Sequence, residues 1–254
     1  MGTITFLGTG TSTGVPMLGC RCGVCSSIEP RDQRLRSSVW IKAGGVSLLV
    51  DTTTDLRTQA LRAKIGGVDA VLYTHHHADH IHGVDELRAY NYFQGGQIPC
   101  YGNQKSLERI RELHGYIFDG KASEGAAKPQ LDLHAVEGPF SVGTVRVIPI
   151  PVKHGSIDAF GYRIRNTAYI TDCSFIPEES FPLLEGLDTL ALGALWLERH
   201  ATHFTMKKAL EAVERIRPTR TYLTHLNHSK THKEGSADLP ENVHLAWDGL
   251  VLDI

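Results

Sequence analysis

The run His75-His76-His77-Ala78-Asp79-His80 offers three imidazoles (His75, His77 and His80) and the carboxylate of Asp79 to metal within one short turn. Metal ligands come as clusters, because bonds to the ion must outweigh the cost of crowding polar side chains. Five of the fourteen histidines fall between positions 75 and 82. In an extended stretch side chains alternate, so His75 and His77 face one side and grip one ion while His76 points away. Asp79 and His80 follow where the chain must turn, bringing an oxygen and a nitrogen to a second ion. The apolar run 68–73 that delivers the cluster reads as a buried strand, which a passive histidine-rich surface tract has no need of.

Two adjacent ions require more ligands than one turn supplies. His154, Asp172 and His225 each follow a candidate strand, and a site at one edge of layered sheets collects its residues from successive strand ends. Taken singly, His154 reads as an ordinary core or surface histidine and Asp172 as a helix N-cap. Taken with the cluster, they complete two sets: His75, His77 and His154 for one ion, and Asp79, His80 and His225 for the other, with Asp172 bridging. Water shared by such ions ionises far below its bulk pKa, and Asp79 is also placed to orient or deprotonate it. Imidazole and carboxylate ligands accept zinc, manganese or iron, so two divalent ions, zinc or manganese, are expected.

A second cluster lies upstream. Cys20, Cys22 and Cys25 have the spacing of three corners of a tetrahedral zinc site, and His228, three residues beyond His225, is the candidate fourth ligand. Such a site is closed and structural, tying the start of the chain to the loop that carries His225. The alternative is three reduced, unliganded thiols. Cys100 and Cys173 fit neither site and read as core residues.

The elements that must position these side chains alternate between β-branched apolar runs and segments of helical period, the pattern of layered α/β architecture. Strands are expected at 3–7, 38–42, 46–51, 68–74, 98–101, 131–135, 144–152, 160–165, 168–171, 189–194, 219–224, 243–246 and 250–254. That number implies more than one sheet. Hairpin turns are expected at 43–45, 165–167 and 247–249. Helices are expected at 55–65, 84–93, 104–114, 176–185 and 205–216, the last stopped by Pro218. The stretch 115–128 reads as a mobile loop. With no linker in view, residues 1–254 are read as one domain.

Composition sets bounds. A hydrophobic content of 41% supports a sizeable core, and a net charge of −2 gives no global pull toward nucleic acid. The opening residues lack the features of a secretory signal, and there is no run of eighteen apolar residues, so a cytoplasmic protein without a membrane span is expected. Five cysteines, an odd number, argue for reduced thiols rather than a disulfide framework. A homodimer is the default assembly.

The pattern His-x-His-x-Asp-His at 75–80, with His154, Asp172 and His225 each after a strand, resembles the metallo-β-lactamase superfamily. The resemblance extends to the opening residues 6–16 and to the strand entering Val50-Asp51-Thr52. It implies a four-layer αββα sandwich with a dinuclear site at its edge. His80 directly after Asp79 is unlike the true β-lactamases and similar to the phosphodiesterase branches. The cysteine triplet combined with His228 resembles the PhnP-like subgroup, which implies one structural zinc and a small cyclic or nucleotide-like phosphodiester substrate, 5-phosphoribosyl 1,2-cyclic phosphate among them. In these branches a histidine in the segment before the last long helix stabilises phosphate or acts as catalytic acid; His203 matches it better than His200. Arg34 and Arg36 are candidates for substrate phosphate or for a solvated face, and Gly8, Gly10 and Gly14 for close backbone approach near the site. Competing functions are a tRNA 3′-processing nuclease, disfavoured because no long basic arm is present, and a non-catalytic metal-binding protein. A stable nucleic-acid complex is not expected.

Overall fold

Two seven-stranded sheets face each other, and their central strands, such as those at 70–72 and 189–193, are buried on both faces. The computed structural model describes residues 2–121 and 127–254. The first sheet holds β1 (Gly2–Gly8), β2 (Ser38–Ala43), β3 (Val46–Val50), β4 (Ala70–Leu72), β5 (Ile98–Gly102) and β6 (Leu131–Ala135) in that spatial order. The second holds β7 (Phe140–Val142), β8 (Val145–His154), β9 (Ile157–Ile164), β10 (Thr167–Ile170), β11 (Thr189–Gly193), β12 (Arg220–Thr224) and β13 (Val243–Leu245), again in sequence order across the sheet. A last strand, β14 (Val251–Asp253), returns to the first sheet and pairs antiparallel with β1. Each sheet is antiparallel on its β1–β3 or β7–β10 side and parallel on the other.

The period-two alternation sorts side chains between layers. Leu48, Val50, Ala70 and Leu72 point between the sheets, where they meet Val147, Tyr162, Ile164 and Ala191. Their neighbours Leu49 and Val71 point outward and are covered by α1 (Leu56–Ala63), the short α2 (Ala78–Ile81), α3 (Leu87–Gln94) and α4 (Gln104–Leu113), through Leu56, Ile81, Leu87 and Ile110. A four-residue helix, α5 (Gly115–Phe118), follows α4. On the opposite side Leu190 and Leu192 meet Met206, Ala209, Val213 and Ile216 of α6 (Met206–Ile216). The result is the αββα sandwich, and each fully buried aliphatic side chain stabilises it by about 1.5–3 kcal/mol.

Local signals fix most element ends. Gly44 and Gly45, at φ 55° and 82°, form the turn between β2 and β3, a conformation of two successive positive φ angles that glycine adopts without strain. Thr205 caps α6 by accepting from the Lys208 amide, and Arg217 in the left-handed region ends it before Pro218. Other expectations are corrected. The segment 176–185 is a 3-10 helix, Glu178–Leu184, because Pro182 supplies no amide for an α-helical bond. The segment 84–93 begins as a 3-10 turn, Val84–Glu86, before α3. The turn at 247–249 is no hairpin: β13 and β14 belong to different sheets, so the chain crosses the sandwich there. The expected loop at 115–128 contains α5, and its residues 122–126 lie outside the described residues. Among the elements not foreseen are β7, the short helix α2, the 3-10 turn Pro30–Asp32, and α7 (His232–Ser236), which starts with a reciprocal Thr231–Glu234 capping box.

Candidate metal centre

Strand ends place the site. His75 and His77 leave the end of β4, Asp79 and His80 ride on α2, Asp172 follows β10 and His225 follows β12. His154 is the last residue of β8 itself, two residues further into the strand than its sequence pattern suggests. His75, His80, His154, Asp172 and His225 are buried, and His77 and Asp79 are half-buried.

The donor atoms converge as two groups. His75 Nε2 and His154 Nε2 lie 3.0 Å and 3.1 Å from His77 Nδ1. On the other side His80 Nε2 is 3.2 Å from Asp79 Oδ2 and 3.2 Å from Asp172 Oδ1, which is also 3.2 Å from His225 Nδ1. The second oxygen of Asp172 looks to the first group, 3.9 Å from His75 Nε2 and 3.7 Å from His154 Nε2. One carboxylate therefore has an oxygen for each group, as a bridging ligand requires. The atoms of His75, His77, His154 and Asp172 all lie within 4.8 Å of one another, as do those of His80, Asp172 and His225.

Hydrogen bonds at the far side of each ring fix the lone pairs. His154 Nδ1 donates to the Thr202 carbonyl at 2.6 Å, which leaves Nε2 unprotonated. His80 Nδ1 donates to Asp51 Oδ2 at 2.7 Å. Thr74 Oγ1 donates to the same Asp51 oxygen at 2.8 Å and so accepts from His75 Nδ1 at 3.0 Å. These bonds hold the Nδ1 protons on the far side of the three rings, so that each Nε2 faces inward. His80 Nε2 and His225 Nδ1 are buried atoms without a hydrogen-bond partner, which is what ligand atoms for a cation look like in the absence of one.

Asp51 is the residue that sequence reasoning passed over. It is fully buried, sits at φ 64° directly after β3, and also accepts from the Thr74 amide at 2.8 Å. A charged residue ending an apolar strand, as in Val50-Asp51-Thr52, is the signal that marks it.

The electrostatics favour positive charge. Burial works against a charge on His80, yet the carboxylates of Asp172, Asp79 and Asp51 raise its pKa well above the ordinary histidine value. Burial likewise opposes charge on Asp172, but His225 and His80 hold its carboxyl well below the usual range. His75, His77, His154 and His225 are held neutral chiefly by burial. A pocket that keeps a proton on a buried imidazole among carboxylates is one in which a divalent cation displaces that proton.

His203 reaches the same place. Its Nδ1 is 3.7 Å from Asp172 Oδ2, and its ring stacks on His225 with centroids 4.7 Å apart. Burial, then His225, lowers its pKa to about 3. His200 is exposed and turns back to Thr202.

The cysteine cluster also closes. Cys22 Sγ and Cys20 Sγ lie 3.4 Å and 3.6 Å from His228 Nδ1, and Cys25 completes a set within 4.8 Å. His228 lowers the Cys22 thiol to about 6, whereas burial lifts Cys25 to about 11. All five cysteines are free thiols, with Cys100 and Cys173 in the core.

One sequence candidate is corrected. Arg34 is buried, donating to Thr9 Oγ1 at 2.8 Å and to the Ala246 carbonyl at 2.7 Å, so it neither meets substrate nor lies on a solvated face. Arg36 is half-buried and pairs with Asp55 at 2.9 Å. The glycine loop approaches that segment rather than the site: a Cβ at Gly8 would stand 2.0 Å from the Arg36 carbonyl. It supports the site from behind, through the bonds Leu226 N–H to Thr9 O (2.8 Å) and Thr11 N–H to Leu226 O (3.2 Å).

The family model described as Beta-lactamase superfamily domain matches residues 47–226. A crystal structure of a diphosphatase from the PhnP family superposes with a TM-score of 0.93 at 40% identity, covering 100% of this chain and 98% of that one. Zinc-bound PqqB from Methylobacterium extorquens, at 20% identity, a TM-score of 0.81 and coverage of 99% and 100%, shares the fold. An octanoyltransferase of Porphyromonas gingivalis is 35% identical over 96% of this chain but only 50% of its own length, so the chain spans about half of that relative. Fold and ligand chemistry together define a metal-dependent hydrolase. Within that class the chain belongs to the metallo-β-lactamase superfamily and, inside it, to the PhnP family.

Proposed function

We propose that the protein is a dinuclear phosphodiesterase acting on a small cyclic or nucleotide-like phosphodiester, 5-phosphoribosyl 1,2-cyclic phosphate being the first substrate to test. The observation that carries this reading is the reach of Asp172, one oxygen toward each imidazole group. His75, His77 and His154 would hold one ion, Asp79, His80 and His225 the other, and Asp172 would serve both; zinc or manganese would suit these residues. When bound, the pair supplies charge against the phosphoryl oxygens and lowers the pKa of the attacking water. Asp79, at the edge of the site, would orient the attacking water and accept its proton. His203, beside Asp172, is placed to donate a hydrogen bond to a phosphoryl oxygen as a neutral imidazole, or to protonate the leaving alkoxide where the substrate's negative charge restores its second proton. Cys20, Cys22, Cys25 and His228 would hold one structural zinc, which would keep the His225 turn in place. The net charge of −2 fits a small substrate better than a stable nucleic-acid complex.

A second substrate class is favoured by the diphosphatase with 40% identity. A diphosphate linkage presents the same phosphorus bearing two bridging oxygens, so the same site serves it. The test is an assay of metal-reconstituted protein on the ribosyl cyclic phosphate, 2′,3′-cyclic nucleotides and nucleoside diphosphates, with metal counted by mass spectrometry. Turnover of a diester with about three ions per chain, at least one of them zinc, supports the proposal. Turnover of diphosphates alone moves the assignment to that class, and cleavage of precursor tRNA at comparable rate moves it to the tRNA nucleases. Full metal occupancy without turnover identifies a non-catalytic metal-binding protein.

A further inference from the structure

The fold treats the two oxygens of Asp172 differently. Oδ1, the oxygen 3.2 Å from both His80 Nε2 and His225 Nδ1, accepts a hydrogen bond from Thr171 Oγ1 at 2.9 Å. Oδ2, on the side of His75 and His154, has no such bond, and among the described residues no other hydroxyl and no amide donates to this carboxylate. Thr171 directly follows β10 and is only 2% exposed, so no bulk water competes for Oδ1 there. Its main chain is also held in place. A Cβ at Gly193, the last residue of β11, would stand 1.9 Å from the Thr171 carbonyl oxygen, so the two chain segments are in close contact where the hydroxyl is mounted.

We propose that Thr171 is a positioning residue whose hydroxyl holds Asp172 across the two imidazole groups, one oxygen to each. The reason lies in the freedom of a carboxylate. Its terminal torsion has broad, roughly two-fold preferences, so an unrestrained Asp172 could turn both oxygens to one ion and leave the other group a ligand short. A donor fixed at Oδ1 removes that freedom, and Oδ2 then falls toward His75 and His154. The same bond draws electron density from Oδ1, the oxygen on the His80 and His225 side. That side is the one with a further carboxylate, Asp79, 3.2 Å from His80 Nε2. The proposal rests on the dinuclear reading above and assigns the residue that makes one carboxylate serve both ions.

The test is titration of the full chain with Mn(II) after chelation, read by electron paramagnetic resonance, since imidazole and carboxylate sites take manganese where thiolates do not favour it. Two manganese ions sharing a carboxylate give an exchange-coupled spectrum, and separate ions do not. Thr171→Val keeps the shape of the side chain and removes the donor. It is expected to bind the first ion as the parent does and the second about 10–100 times more weakly, with the coupled signal replaced by that of isolated ions at equal loading. Thr171→Ser keeps the donor and should restore both affinity and coupling, a rescue that loss of packing alone would not give. Parent-like affinity and coupling in Thr171→Val, with its circular dichroism unchanged, overturns the proposal and leaves the dinuclear reading standing. Thr171→Ser as weak as Thr171→Val does the same, because the loss then follows the methyl group and not the hydroxyl. A parent chain that never gives a coupled pair removes the dinuclear reading and the proposal with it.

Discussion

Replacing Asp51 by asparagine tests whether a residue that touches neither cation sets the affinity of the site. Asparagine tolerates the left-handed backbone at position 51, so the change alters hydrogen bonding without altering the chain. Asp51 accepts from the Thr74 amide at 2.8 Å through Oδ1, and from Thr74 Oγ1 at 2.8 Å and His80 Nδ1 at 2.7 Å through Oδ2. An amide group cannot do both. With its NH2 toward His80, donor faces donor, and the imidazole must move its proton to Nε2, which removes the inward lone pair. With its oxygen toward His80, the Thr74 amide is left buried and unpaired, at a cost of about 1–3 kcal/mol. A cost of about 1.4–2.7 kcal/mol, inside that range, corresponds to the roughly 10–100-fold that supporting partners of metal-bound histidines typically account for. Chelator competition on Asp51→Asn should therefore show the ion at His80 and His225 bound about 10–100 times more weakly, with kcat/KM falling in parallel at limiting metal. Retention of both ions within about twofold of the parent, in a folded variant, would refute the assignment of Asp51 as the residue that orients His80.

Three further outcomes follow from particular contacts. His203→Ala should lower kcat by about 10²–10⁴ with metal content unchanged, while His200→Ala, at an exposed position, should leave kcat near the parent value; equal effects would remove His203 from the reaction. His228→Ala should release one zinc per chain, measured with a chromogenic chelator, and lower the melting temperature while the other two ions stay bound; an unchanged zinc count would mean the cysteines are unliganded. Asp248 is half-buried, and desolvation of its carboxyl, opposed by its bonds to the Leu35 amide and Thr9 and by Arg34, raises its pKa from 3.8 to about 6. A carboxyl raised on folding contributes stability that is complete below pH 4 and is lost as pH rises through about 6. The difference in urea stability between the parent and Asp248→Asn should thus shrink by about 3 kcal/mol between pH 4 and pH 7, and a difference independent of pH would contradict it.

Much of this was legible before any coordinates. The candidate ligand residues announce themselves because metal chemistry restricts the side-chain types, and because they stand where apolar strands stop. The two sheets were legible because strands covered on both faces read as unbroken apolar runs, as Ala70-Val71-Leu72 does. Sequence was weaker wherever the decision belonged to a distant partner. Arg34 has the look of a surface or substrate-binding arginine until Thr9 and Ala246 are seen to enclose it. The turn at 247–249 has hairpin composition, but the free edge beside β1 takes β14 into the opposite sheet.

The sequence by itself determined which residues are capable of the chemistry and which segments are extended, since side-chain type and period are properties of the chain alone. Only the tertiary structure decided that His154 and His75, 79 positions apart in the chain, point nitrogens at one spot, and that Asp172 spans two groups. It alone gave Asp51 its role. The orientation of an imidazole is set by the hydrogen bond at its far nitrogen, and that partner comes from whichever strand the fold lays alongside.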